Sequence, residues 1–331
     1  MKHVSILIPK GHTSLVNIAG THQILNQVNG ISAEFGRKPV FDVNLVGLTH
    51  KTRQDIGLFT VDPDYLLSEI EKTDMIIIPA IHTRWPDALE RNRDFIPWIL
   101  EQYKNGAEVV SLCVGAYLLA STGLLNGRVC STHWAHAANF RSTFPDVNLV
   151  DDKIMTAEDG IYTSGGAYSY LNLLLYLIEK HAGRDVAIVA SKVFMIDIDR
   201  DSQSPFIIFE GQKDHGDDLI IEAQQIIEQN YPEKITVEEL ATELALSRRS
   251  LERRFKKATS NTVVEYMQRV KVEAAKQELE TSRKNVNEVM YEVGYSDTKS
   301  FRSVFKKVTG LSPVDYRKKY SRSNYGLSQK K

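Results

Sequence analysis

Asn285 to Tyr320 reads NVNEVMYEVGYSDTKSFRSVFKKVTGLSPVDYRKKY, and the rest of the chain is organised around it. Val286, Val289, Met290 and Val293 recur at helical spacing before Gly294 stops the helix. A second amphipathic run then turns Phe301, Val304, Phe305 and Val308 inward. Its outward side carries Thr298, Lys299, Arg302, Ser303 and Lys306, short polar and cationic side chains that suit a groove walled by phosphates and floored by base edges. The stretch predicts a helix, a glycine turn and a second, reading helix.

The pattern occurs twice. From Thr236 the chain reads TVEELATELALSRRSLERRFKKATSNTVVEYMQ, in which Val237, Leu240, Ala241 and Leu244 take the places of Val286, Val289, Met290 and Val293, 49 residues earlier. Beyond the turn, Leu251, Phe255, Lys256, Lys257, Thr259 and Tyr266 match Phe301, Phe305, Lys306, Lys307, Thr309 and Tyr316 at an offset of 50. Two copies of one unit explain this best. Between them Val263 to Thr281 contains no Gly or Pro and is rich in helix formers, so it predicts one continuous helix. Its length, at about 1.5 Å per residue, is roughly 28 Å, against roughly 34 Å between successive major-groove faces.

On GYSD (Gly294 to Asp297), FRSVFKK (Phe301 to Lys307), TGLSPVDYR (Thr309 to Arg317) and LSRRSLERRFKK (Leu246 to Lys257), the chain resembles the AraC/XylS family of bacterial transcription regulators from about Leu219 to Tyr320. The resemblance implies two helix-turn-helix units joined by a long helix, a double-stranded DNA partner, work beside RNA polymerase as an activator, and a homodimer. In the first reading helix Arg249, Glu252 and Arg253 are expected at base edges, since arginine takes guanine and glutamate accepts from cytosine. Thr298, Lys299, Arg302 and Ser303 form the corresponding set in the second. Arg248, Lys256 and Lys306 are expected at phosphates.

Charge follows the same division. The chain has a net charge of −1, but residues 1–214 carry 19 Lys and Arg against 25 Asp and Glu, whereas residues 215–331 carry 22 against 17. A basic second half favours polyanions, and an acidic first half does not. Two cysteines fit a reducing compartment, and the start MKHVSILIPKG and the lack of an 18-residue apolar run predict a cytoplasmic protein with no membrane partner.

The first half alternates strands and helices. HVSILIP (His3 to Pro9), VFDVNLVGL (Val40 to Leu48), DMIIIPA (Asp74 to Ala80) and EVVSLC (Glu108 to Cys113) read as strands, and Ser14 to Val28 and Asp94 to Asn105 as helices. The expected fold class is an α/β domain with a mostly parallel sheet and helices on both faces, followed by an all-α domain with two helix-turn-helix units. The expected division is 1–200 for the sensor domain, 201–218 for a linker with PFIIF laid against the first domain, 219–320 for the DNA-binding domain and 321–331 for a basic tail.

VVSLCVGAYLLA sets Cys113 at a strand-to-helix elbow over the carboxyl end of the sheet. With STHW (Ser131 to Trp134) and YTSGGAYSYLNLLLYLIE (Tyr162 to Glu179), residues His3 to Asp197 resemble the class I glutamine-amidotransferase-like superfamily, PfpI type. The resemblance implies Cys113 as nucleophile and His133 as base. It departs from the pattern after the first strand, where Val16 and Asn17 stand in place of an acid, and Asn cannot fix an imidazolium by charge. Asp151, Asp152, Glu158 or Asp159 would have to substitute. The expectation is therefore a non-catalytic domain with Cys113 and His133 as vestiges, and a small-molecule effector pocket formed by Cys113, Val114, His133, Gly165 and Tyr168. A cysteine-dependent amidase with a DNA-binding module is the alternative. Neither a cofactor nor a metal is expected, because Cys130, His133 and His136 make one short cluster without a second.

Overall fold

A computed structural model of the protein describes residues 1–54, 57–213 and 215–321, and the chain divides into two units, Met1–Gln203 and Ser204–Lys331. The basic tail, past Ser321, lies outside the described residues. Among the described residues no helix is long and apolar enough to cross a membrane.

Met75–Ile78 reads MIII and is wholly buried, because Met75 and Ile77 enter one layer of core while Ile76 and Ile78 enter the other. Lys2–Ile8 does the same, with Val4, Ile6 and Ile8 on one side and Leu7 on the other. These two strands are the middle of a seven-stranded sheet in the order Met155–Glu158, Ile161–Ser164, Glu108–Ser111, Met75–Ile78, Lys2–Ile8, Phe41–Gly47, Tyr65–Leu66. Every neighbouring pair is parallel except the first, where Asp159 and Gly160, both at positive φ, make a two-residue hairpin turn. Leu15–Glu34, Tyr170–Ala182 and Arg184–Val193 cover one face of the sheet, and Phe95–Lys104, Ala116–Ser121 and Ala137–Thr143 cover the other. The mostly parallel, two-faced α/β architecture is as the sequence predicts.

The second unit consists of the helices Asp218–Gln229, Val237–Glu243, Arg248–Thr259, Val263–Thr281, Val286–Glu292, Thr298–Thr309 and Pro313–Tyr320. Each begins behind a side-chain cap: Asp217, Thr236, Ser247, Thr262, Asn285, Asp297 and Ser312 all accept from a first-turn N–H. The continuous Val263–Thr281 helix supplies Val263 and Tyr266 to one core and Val272, Ala275 and Leu279 to the next. The copies repeat to the level of single contacts. The Phe255 and Tyr266 rings meet edge-on at 5.2 Å and the Phe305 and Tyr316 rings at 5.4 Å, and Tyr266 and Tyr316 each donate at 2.6 Å to a glutamate, Glu228 or Glu280.

The stretch expected as a linker differs in part. Glu273 Oε2 accepts from the Phe209 amide at 3.1 Å and from Lys276 Nζ at 2.7 Å, and Lys276 also donates to the Ile207 carbonyl at 2.6 Å. Phe209 packs on Tyr266 at 5.1 Å, and Lys319 Nζ lies 5.3 Å over Phe206. The Pro205–Phe209 segment is thus fastened to the helical unit by polar backbone contacts that hydrophobic periodicity does not register.

The two copies treat their turns differently. Copy two places Gly294 and Gly310 at φ +78 and +75, whereas copy one places Ala245 and Ser260 at +53 and +59. Left-handed backbone is strained for any residue with a Cβ. Ala245→Gly and Ser260→Gly should each stabilise the helical unit by about 0.5–1 kcal/mol in urea unfolding. Gly294→Ala should be strongly destabilising, because its Cβ would stand 2.1 Å from the Pro232 carbonyl oxygen. Equal midpoints for all three variants and the wild type would contradict this reading of the turns.

Candidate functional site

Cys113 follows the Glu108–Ser111 strand at φ +55, and its backbone is pinned on both sides: its N–H donates to Ser164 Oγ at 3.2 Å and its carbonyl accepts from Thr132 Oγ1 at 3.0 Å. Gly115 makes the corner possible, since a Cβ there would lie 2.6 Å from the Ile78 carbonyl oxygen. The elbow expected from sequence is present. Its thiol, however, is covered: Cys113 is 3% exposed, and burial pushes it above its ordinary pKa against the Ala167 and Val114 N–H groups, which favour thiolate.

His133 is half-buried, and its Nδ1 accepts from the Ala135 amide at 3.1 Å. Burial, then the neighbouring His136 and His82, hold its pKa below the usual histidine value. Among the described residues no hydrogen bond joins His133 to Cys113, and no carboxylate reaches His133. Asn17, where an acid would stand, is buried with Oδ1 accepting from the Ala80 amide at 3.1 Å. Asp151 pairs with Arg141 at 3.2 Å, Asp159 with Arg128 at 3.4 Å, and Glu158 accepts from the Val129 amide at 2.9 Å. Asp152 serves through its carbonyl, which takes the Gln203 amide at 2.8 Å. Cys130 lies in the core, where it donates to the Ser131 carbonyl at 3.4 Å and burial pushes its thiol up to about 12.

Of the five residues expected around a pocket, Cys113 sits against the Ala167 N–H and the His133 ring lies against Gly166, next to Gly165. Gly165 is buried with its amide on the Ile154 carbonyl at 2.7 Å, Tyr168 is 60% exposed, and Cys113 is sealed. Val114 alone of the five lines the neighbouring cleft, together with Ile81, His82, Thr83, Arg84, Trp85, Tyr117, His136 and Asn139. That cleft opens beyond the carboxyl ends of the Met75–Ile78 and Glu108–Ser111 strands, beside the point where the strand order reverses from Lys2–Ile8, which is where ligands bind in such sheets. Gln203 is the residue sequence reading missed: 1% exposed, it accepts from the Gly166 amide at 3.0 Å and donates to the Thr132 and Lys153 carbonyls at 3.0 and 3.1 Å, tying together the loops around the elbow. It falls in a polar stretch with no period, so only its polarity was visible.

In the helical unit, Arg249 and Arg253 are exposed on the Arg248–Thr259 helix with no partner among the described residues, as are Lys299, Arg302 and Lys306 on the Thr298–Thr309 helix. Ser303 is exposed and Thr298 half-buried at the helix start. Arg248 instead pairs with Glu238 and, one turn on, with Glu252 at 2.9 Å, so Glu252 is already engaged in the free protein. Lys256 Nζ donates to the Ser260 carbonyl at 2.8 Å.

In comparison with known proteins, a separate family model matches each unit. A helix-turn-helix domain model matches residues 240–319 and the DJ-1/PfpI family model residues 23–180. The chain is 26% identical over 226 residues to the HTH-type transcriptional regulator GbdR of Pseudomonas aeruginosa, 68% of this chain and 61% of that protein. It is 23% identical over 218 residues to the HTH-type transcriptional regulator GlxA of Rhizobium meliloti, 65% of this chain and 66% of that one. The chain thus spans less than two thirds of the length of these curated relatives. A crystal structure of a candidate transcriptional regulator from Vibrio parahaemolyticus superposes on 58% of this chain and 98% of its own at a TM-score of 0.52 and 21% identity, which establishes the α/β fold.

Burial of both thiols carries a direct expectation. A water-soluble thiol reagent at pH 8 should label neither Cys113 nor Cys130 in the folded protein over minutes, and both once urea unfolds it. Rapid labelling of folded Cys113 would show an open, thiolate-favouring elbow instead.

Proposed function

We propose that this chain, in which a DJ-1/PfpI domain precedes an AraC-type helix-turn-helix domain, is a sequence-specific DNA-binding regulator of transcription that reads two adjacent major grooves. The observation that carries this reading is the pair of exposed, cation-bearing helices, Arg248–Thr259 and Thr298–Thr309, at the two ends of one uninterrupted helix. Arg249 and Arg253 in the first and Lys299, Arg302 and Ser303 in the second take base edges, with Thr298 at the start of that helix. Lys256 and Lys306 take phosphates. Binding releases Arg248 from Glu238 and Glu252, or keeps Glu252 at a cytosine amino group while Arg248 turns to phosphate.

The α/β unit serves as a sensor. A buried thiol, a histidine without a carboxylate and an asparagine at the acid position support a non-catalytic role over the amidase alternative. Activation beside RNA polymerase, homodimerisation through the first unit and a cytoplasmic location complete the proposal.

Arg253→Ala should weaken binding to the preferred sequence by about 1–3 kcal/mol and relax preference at one base position, with the fold intact by circular dichroism. Lys306→Ala should weaken all duplexes alike and lower the salt dependence by about one phosphate contact. Mobility-shift titrations on duplexes recovered by selection measure both. Unchanged affinity for Arg253→Ala combined with Arg302→Ala on every selected sequence would contradict the assigned reading faces.

A further inference from the structure

The cleft beside the elbow has a chemistry of its own. Its lining holds Arg84, His82, His136, Thr83 and Asn139 as polar groups and no carboxylate. Arg84 is exposed at its rim without an ion pair or side-chain hydrogen bond among the described residues. Tyr117 donates to Asn139 Oδ1 at 2.8 Å and to the His136 carbonyl at 3.2 Å, and the NH2 of cleft-lining Asn139 has no hydrogen-bond partner among the described residues. Burial holds His136 below the usual histidine pKa, so at neutral pH its ring is an uncharged hydrogen-bonding group and Arg84 is the fixed charge.

One wall is aromatic. Trp85 lies 5.5 Å from Tyr117 and 6.1 Å from Phe144, and Val114 and Ile81 continue the apolar surface. The space measures about 290 Å³, at the small end of ligand sites. A guanidinium fork and an amide donor over an aromatic floor match a carboxylate attached to a flat, apolar body. A cationic ligand would find no counter-charge, and a wholly apolar one would desolvate Arg84 without return.

We propose that this cleft, lined by Arg84, Trp85, Tyr117, His136 and Asn139, is the effector site and that it takes a small organic carboxylate with a planar or apolar body. The proposal deepens the reading of the α/β unit as a sensor and rests on it. Arg84 forks to the carboxylate, Asn139 donates to it, and Trp85 and Tyr117 stack on the body. Cys113 takes no part in binding.

The test titrates the full-length protein with benzoate and phenylacetate, and with benzamide, phenylacetamide and benzylamine as uncharged and cationic counterparts. Calorimetry and tryptophan fluorescence give the affinities. The expected result is saturable one-to-one binding of at least one acid, at least tenfold tighter than its amide, with no binding of benzylamine. Arg84→Gln should erase the preference of acid over amide, while Trp85→Leu should weaken acid and amide together. Equal affinity for acid and amide, an unchanged preference in Arg84→Gln, or no binding by either acid would each overturn the proposal. DNA binding measured on the same preparations separates the two readings. Selective DNA binding with no carboxylate binding removes this inference alone, and carboxylate binding without selective DNA binding removes the regulator reading and leaves the cleft as a carboxylate site without an effector role.

Discussion

The unbroken Val263–Thr281 helix is the constraint on which the arrangement of the two helix-turn-helix copies, and with it the proposed DNA-reading geometry, depends. Its first turns complete one core through Val263 and Tyr266, and its last complete the other through Val272, Ala275 and Leu279, so neither helix-turn-helix copy can shift without moving the same rigid rod. Thr262 and Glu265 cap its start reciprocally. Lys276 and Glu273, buried halfway along, fasten the preceding Ile207–Phe209 segment to it. A lysine left there without its glutamate would be a buried charge without a partner, so the fastening is maintained by polar necessity rather than by apolar area.

Much of this was legible in the sequence. The repeat offsets of 49 and 50 found both copies, and absence of Gly and Pro found the spacer with the bounds the structure gives. Continuous apolar runs such as MIII marked the central strands, because both faces of the sheet are covered and no polar position is left. What escaped depended on contacts distant in sequence. The cleft draws on 81–85, 114–117 and 136–139, three segments with no shared spacing, and Gln203 and Lys276 act by bonding to carbonyls that carry no side-chain signature. The pairing of Arg248 with Glu238 and Glu252 crosses the helix-turn-helix corner, so composition counted Arg248 as a free cation when the fold engages it.

The first unit has the backbone geometry of a nucleophile elbow. Cys113 still occupies left-handed backbone, which is worth maintaining only where the surroundings enforce it, and Gly115, Ser164 and Thr132 do so. The residues that follow the corner, Val114 and Tyr117, line the adjoining cleft.

The rigidity of the spacer is tested most directly by moving the two half-sites of a selected duplex relative to one another. Inserting five base pairs between the contacts of the Arg248–Thr259 and Thr298–Thr309 helices turns one groove to the opposite face, since a helical turn takes about 10–10.5 base pairs. The account predicts a loss of affinity of at least about 50-fold, down to the affinity of a duplex that carries a single half-site. Binding within twofold of the uninterrupted site would contradict it, because the two helices would then be reading DNA independently of the rod that joins them.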